Sequence, residues 1–508
     1  MLGGARLEEK PDSVQDPAVR IPDLLDPRFQ AVLDALPASL THETTHTSPA
    51  VRQPTLFARA AGSTTADVDL RRWSVLPDRS TSTSTSERSI QEETLQVVET
   101  IRALASEASI DPAQITNTII VLRQMSDFPQ VNGEYGKLFP KPNPPSRVTI
   151  SCGDLLPDGV NIAVYLAAPS SQKADDRNGL HVQSRSYWAP ANIGPYSQAI
   201  DVPVTVHHQP TGLRCISIAG QIPLIPATML LPSPSETSHE LQIILSLQHL
   251  WRVGQELKIQ FWTSSVAYFP RAASPAEMQR SAQIAGRAWK QAHGSPEDEE
   301  DAENGPDPWD LKYNPAYMSL STNDQKAGRK SIPDWEVLTL RQQNEPDTCI
   351  PPVFVVEVEE LPRQSAVEWH AHNGLSRVED ASLEMFSPPE VGARGWRVWH
   401  TVAQTNSATL IYSTISYNCT EQPAAVALQA LKEDMRNALQ EAIHELRPQE
   451  SEIALSKPSL LYVDAVQVEP LWDHADGVAI IPCRSIWSPT GQKVTIVGLF
   501  ETALMHGT

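Results

Sequence analysis

Apolar positions along this chain follow two periods, one helical and one extended, and the two alternate in a repeating order. After Ser89 they fall at Ile90, Val97, Val98, Ile101, Leu104 and Ala108, a spacing that buries one helix face. Ser89-Ile90-Gln91-Glu92 opens that run as a capping box, in which a hydroxyl and a carboxylate three residues on satisfy each other's orphan amides. Asp111-Pro112 ends it. Residues 115–122, rich in branched side chains, predict a buried strand. A short helical link through DFPQVNGEYGKLF follows. Two further strands, RVTISC and VNIAVYLAA, are joined by the turn Leu156-Pro157-Asp158-Gly159.

The same order recurs. Strands are predicted at 200–207 and 213–219, then a helix from the capping box Thr237-Ser238-His239-Glu240 with Leu241, Ile244, Leu245 and Trp251 on its face. The strand ELKIQFWTSSVAYF, a helix near 276–292 and the paired strands VFVVEVEEL and AVEWHAH complete this copy. A third, weaker copy holds WRVWHTVAQ, ATLIYSTIS, a helix with Leu428, Leu431, Met435, Leu439, Ile443 and Leu446, and the strands LLYVDAVQV, VAIIPCRSIW and KVTIVGLF. A period above about 100 residues implies duplicated domains and not a solenoid. The expected organisation is a tail over 1–40 with an amphipathic helix at 20–37, then a flexible, Ser/Thr-rich linker over 41–88. Unit 1 spans 89–170. Unit 2 spans 183–375 with an acidic insertion at 294–308, and a degenerate unit 3 spans 394–508. The fold class expected is α+β, each unit a mixed sheet with helices on one face.

Composition narrows the function. The 508 residues carry a formal charge of −21 and no basic stripe with interleaved aromatics, so no nucleic acid is expected as a partner. No run of 18 apolar residues occurs, and the first residues lack the apolar core of a secretory signal, so a cytoplasmic protein is expected, with no membrane partner. The cysteines, Cys152, Cys215, Cys349, Cys419 and Cys483, are scattered and form no CxxC pair, which reads as free thiols in a reducing compartment. His370 and His372 alternate on one strand and share a face, but no third ligand stands near them in sequence, so no metal site is assigned.

Two segments resemble the RidA/YjgF family. Ala189-Pro190-Ala191-Asn192-Ile193-Gly194-Pro195-Tyr196-Ser197-Gln198-Ala199-Ile200 is similar to its opening signature, and Ile218-Ala219-Gly220-Gln221-Ile222-Pro223 to a strand end that follows at the right distance. In unit 1, Met125 to Asn132 and Pro145-Ser146-Arg147 are similar to further segments of the same family. The resemblance implies a tandem of RidA/YjgF-like, chorismate-mutase-like domains. IPDLLDPRFQAVLDAL, NPPSRVTISCGDLLP and VAIIPCRSIW also resemble the C-terminal region of the diphthine–ammonia ligase family, of fungal type. In that family an N-terminal ATP-pyrophosphatase domain adenylates diphthine on elongation factor 2, and ammonia then displaces AMP. No Ser-Gly-Gly-Lys-Asp-Ser loop, GxxxxGK[ST] or GxGxxG stands in this sequence, so no cofactor is expected on this chain and ATP only on that other domain. A truncated gene or a split gene would each account for the absence of that loop.

What the resemblance implies for sites follows residue by residue. Deaminases of the RidA family clamp a substrate carboxylate with an arginine, which grips it bidentately, and position water with a glutamate, in clefts between subunits of a trimer. Unit 1 has the arginine, Arg147, but Ala163 where the glutamate would be. Unit 2 has Glu368 but Pro351-Pro352-Val353 in place of the arginine segment, and unit 3 offers Arg484. The catalytic candidates are Arg147 and Glu368. Substrate-binding candidates are Asn132, Tyr196, Gly220, Gln221 and Arg484. Either the units are degenerate scaffolds, or they pack as an intramolecular pseudo-trimer in which Arg147 or Arg484 meets Tyr196, Gly220 and Glu368 in a composite cleft. Three functions stand open: an accessory region for diphthine–ammonia ligation with elongation factor 2 or an ATP-pyrophosphatase module as partner, an imine or enamine deaminase, and a non-catalytic assembly scaffold.

Overall fold

A computed structural model describes residues 23–36, 64–78, 88–170, 176–233, 237–294, 331–344, 349–388, 395–418, 426–446, 457–468, 471–472 and 477–506. Helix α1 (Pro27–Ala35) and strand β1 (Thr64–Ala66) precede unit 1. That unit comprises β2 (Leu70–Val75), α2 (Ile90–Glu107), β3 (Asn117–Leu122), α3 (Phe128–Tyr135), β4 (Ser146–Ser151) and β5 (Ile162–Pro169). The capping box at α2 forms: Ser89 Oγ accepts from the Glu92 amide at 3.3 Å, and Glu92 accepts from the Ser89 amide at 2.9 Å. The sheet runs β2-β5-β3-β4, with β3 and β4 parallel and the other pairs antiparallel. Val97, Val98 and Ile101 of α2 pack on Ile120, Leu122 and Val164, covering one face only.

Strands β1 and β2 lie inside the stretch expected to be a flexible linker, and the structure corrects that expectation. β2 pairs with β5 from Leu70↔Pro169 to Val75↔Val164, and β1 pairs with the last strand of the chain. Only Val75 of β2 is fully buried, so no apolar alternation marks the strand in the sequence. What orders it is the unpaired backbone edge of β5, a demand that arises far away in the chain.

Unit 2 comprises β6 (Asn178–Leu180), β7 (Ala199–Val206), β8 (Gln209–Ile218), α4 (His239–Glu256), β9 (Phe261–Phe269), α5 (Pro275–Ala292), β10 (Val353–Glu357) and β11 (Glu368–Ser376). Its own strands run β10-β9-β11-β8-β7-β6. Helix α4 starts one residue later than the capping box predicts, with Ser238 as N-cap, its hydroxyl accepting from the Leu241 amide at 3.0 Å. Trp251, Trp289 and Trp369 fill the layer between helices and sheet with no exposed surface. The predicted N-terminal helix is α1. It docks Phe29 and Val32 into this same layer, and Asp26 pairs with Arg252 of α4. The acidic insertion lies outside the described residues apart from Gly294.

Unit 3 comprises β12 (Leu383–Phe386), β13 (Trp396–Gln404), β14 (Ala408–Tyr417), α6 (Leu428–Leu446), β15 (Leu460–Asp464), β16 (Ile480–Cys483), β17 (Ser485–Trp487), β18 (Lys493–Val494) and β19 (Ile496–Met505). Its sheet runs β12-β13-β14-β19-β15-β16, with Leu431, Met435, Leu439 and Ile443 of α6 on one face. The single strand read from VAIIPCRSIW is divided. At Arg484 the chain leaves the unit 3 sheet, and β17 adds to the edge of β10 in unit 2, with Val355 opposite Trp487. The chain returns through β18 to β19.

The faces that carry no helices meet one another. Val121 and Val148 of unit 1, Val266 and Val356 of unit 2, and Tyr462 and Val497 of unit 3 belong to one apolar cluster. Burying each such aliphatic side chain contributes about 1.5–3 kcal/mol relative to exposure, which a lone one-sided sheet could not gain. No helix among the described residues is long and apolar enough to cross a membrane.

Candidate functional site

Strand β4 is the edge of the unit 1 sheet, and its open side is covered by unit 2. Ser146 bridges to Ser197, the Ser197 amide donates to the Pro145 carbonyl at 3.2 Å, and the Gly220 amide donates to the Arg147 carbonyl at 3.1 Å. These bonds bring the loop at 192–197 and the end of β8 against the start of β4. Arg147, the second residue of β4, is 4% exposed and sits under three rings. Its guanidinium carbon lies 5.4 Å from the centres of Phe128 and Tyr135 and 5.3 Å from that of Tyr196. Such stacking offsets part of the cost of burying the cation.

Two glycines make room for the charged groups. A Cβ on Gly194 would stand 2.6 Å from Arg147 Nη2 and 3.4 Å from the amide of Asn132. A Cβ on Gly220 would stand 1.7 Å from Glu368 Oε1, so the carboxyl occupies the space a side chain would need. Glu368 opens β11 and is 3% exposed. Asn132, Gly194, Tyr196 and Gly220 are half-buried, forming a rim over this floor. The structure thus gathers Arg147 and Asn132 of unit 1 with Tyr196, Gly220 and Glu368 of unit 2 at one junction.

The electrostatics of the floor are unusual. Burial pushes the Glu368 carboxyl up to about 8, with the Arg147 charge pulling the other way. Burial also lowers the Arg147 guanidinium, against the charge of Glu368 and the neighbouring phenols. Nη1 of Arg147 and Oε2 of Glu368 find no hydrogen-bond partner among the described residues. Buried polar groups are paired in the great majority of cases, so these two orphaned atoms single out the junction as the candidate site. A carboxylate arriving at the guanidinium would pair with it, and the protonated Glu368 beside it is able to donate a proton.

Two candidates do not join them. Gln221 exchanges backbone bonds of 2.8 Å with Trp369, and its side chain donates to the Ala219 carbonyl at 2.9 Å, so it holds the end of β8 beside β11. Arg484, a candidate second clamp, follows the end of β16 and pairs with Glu359 and Asp154. It fastens the crossing of the chain from unit 3 to unit 2, because its place is the end of a strand, whereas Arg147 stands at the start of one. Residues not singled out from the sequence also contribute: Phe128 and Tyr135 wall the guanidinium, and exposed Arg363 acts electrostatically on Tyr196 at the rim. Phe128 and Gly194 lie inside the segments that carry the family resemblance, while Arg363 has no sequence signal. His370 and His372 do share a face, their rings 5.0 Å apart, and no group of metal-ligating residues is found among the described residues.

Comparisons with known proteins give one family model and several partial relatives. The endoribonuclease L-PSP family matches residues 75–168. A diphthine–ammonia ligase of Schizosaccharomyces pombe is 34% identical over 149 residues, 29% of this chain and 22% of that protein. The diphthine–ammonia ligase of Saccharomyces cerevisiae is 34% identical over 143 residues, 27% of this chain and 20% of its own length. A RutC family protein of Pasteurella multocida is 32% identical over 75 residues, 14% of this chain and 58% of that one. The matched stretch therefore spans about a fifth of the length of the two ligases. The chain carries a RidA-like region and is related to diphthine–ammonia ligases over part of its length.

Proposed function

We propose that this chain acts in diphthamide formation as the RidA-like region of a diphthine–ammonia ligase, in the cytoplasm, and that its composite site handles a small carboxylate-bearing nitrogen compound. The partial identity to two ligases supports the first half. The second half is carried by one observation: a buried arginine and a buried glutamate, from different units, each with an orphaned polar atom at one junction. Adenylation with ATP would fall to an ATP-pyrophosphatase module, and elongation factor 2 would be the protein partner. The three units are then one chain's counterpart of a trimer, with the cleft between units 1 and 2 keeping both halves of the clamp.

The chemistry the site suits is hydrolysis of a 2-imino acid. Arg147 would hold the carboxylate. Glu368 would give its proton to the imine nitrogen as water adds to the carbon and take one back from the added water, leaving a carbinolamine. The same carboxyl would then pass the remaining hydroxyl proton to the nitrogen as the C–N bond breaks and the C=O bond forms. The products are a 2-oxo acid and ammonia, the nucleophile that ligation consumes. Two measurements test the reading. Mass spectrometry of elongation factor 2 from cells carrying Arg147→Ala should find diphthine accumulating, and undiminished diphthamide in cells lacking the whole gene refutes the pathway assignment. Ammonia release from 2-aminoacrylate should be lost in the same variant, and unchanged release refutes the clamp.

A further inference from the structure

With none of the composite-site residues in its wall, a half-open cavity of about 760 Å³ is lined by all three units beside their shared cluster. That volume is in the range of about 300–1,000 Å³ usual for small-molecule sites. Each unit lends part of the wall: Asn117 and Tyr165 from unit 1, His370 and Asn373 from unit 2, Tyr412 and Glu501 from unit 3. His370 is 3% exposed, and its Nδ1 has no hydrogen-bond partner among the described residues. An unpaired imidazole nitrogen at a cavity wall is costly unless a ligand completes it.

The lining selects by charge. Its carboxylates are Asp67, Asp69 and Glu501, and its cations are Arg72 and Lys457. Arg72 is held by Glu501 at 2.7 Å, and the other Glu501 oxygen accepts from Asn373 at 2.8 Å. An anion entering would meet more carboxylate than cation, within a chain of formal charge −21. Burial pushes the His370 imidazole down to about 4, so at neutral pH it offers a lone pair and no positive charge. Trp73 and Tyr412 also line the wall, and aromatic rings of this kind attract cations at their faces.

We propose that this cavity binds a small primary ammonium compound, its charge beside the carboxylates and aromatic rings and one N–H donated to His370. The site does not depend on Arg147 or on imine hydrolysis. It does adjoin the composite site: His372, also on its wall, bonds to Tyr462 at 2.9 Å, Tyr462 bonds to Tyr268 at 2.9 Å, and Tyr268 stands opposite Glu368 in the β9–β11 pair.

Calorimetric titration of the full chain at neutral pH with n-butylammonium, n-butyltrimethylammonium and butyrate tests the proposal. Saturable binding of n-butylammonium, one per chain, is expected. The other two should bind at least about tenfold more weakly, the worth of one hydrogen bond to a charged group. His370→Ala and Glu501→Gln should each weaken n-butylammonium by a similar factor with the thermal midpoint monitored, and Arg147→Ala should bind it as the parent does. No saturable binding, equal binding of butyrate, or loss of binding in Arg147→Ala overturns the assignment. The last result would place the amine in the composite site, whereas failure of imine hydrolysis alone leaves the cavity untouched.

Discussion

Replacing Glu368 by glutamine should make the protein more stable, and increasingly so as pH rises. The glutamine is close in shape to the protonated acid that burial favours. The carboxyl is raised from 4.5 to about 8 in the fold, so between those values the folded state holds a proton that the unfolded chain has released. A group raised in this way costs stability as pH climbs from 4.5 toward 8, and the loss levels off above it. At about 1.4 kcal/mol per unit, the whole span is worth about 5 kcal/mol, of which about 3 kcal/mol is reached by pH 7. Residual hydration of the floor would reduce both figures without changing their sign. The assay is a pair of denaturant titrations, parent and Glu368→Gln, at pH 5 and pH 8. The stability gap should widen in favour of the variant by several kcal/mol. A gap that stays constant within about 0.5 kcal/mol would mean the carboxylate is ionised throughout, and the proton-donor role drawn from its burial would fail with it.

Further outcomes follow from single contacts. Gly220→Ala places a methyl on the Glu368 carboxyl and should cost about 1–3 kcal/mol, with ammonia release lost in the same variant; an unchanged melting profile and full activity would contradict the close approach. Tyr462→Phe strips the hydroxyl shared by His372 and Tyr268, leaving buried polar atoms unpaired at about 1–3 kcal/mol, which thermal unfolding should report as a lower midpoint. Arg484→Ala should loosen the crossing from unit 3 to unit 2, seen as faster amide exchange in β17, while 2-aminoacrylate hydrolysis stays at the parent level. Loss of hydrolysis there would return Arg484 to the composite site.

Local pattern determined much of this protein. The helix after Ser89, the helices at α4 and α6, and most strands of all three units are legible because a 3.6 or 2.0 period depends only on near neighbours. Arg147 and Glu368, and the fact that each unit lacks the other's half of the pair, came instead from the resemblance to the RidA/YjgF family. Tertiary structure alone decided the rest. β2 exists because β5 has an edge to fill, and β17 leaves its own sheet because β10 has one too. Which arginine meets Glu368 depends on an edge strand docking on a distant loop. Gly194 and Gly220 matter only because side chains far away in sequence occupy the space their own would take. Hydrophobic period is a property of a segment, whereas edge pairing, close approach and burial of charge belong to surfaces brought together from residues up to several hundred positions apart.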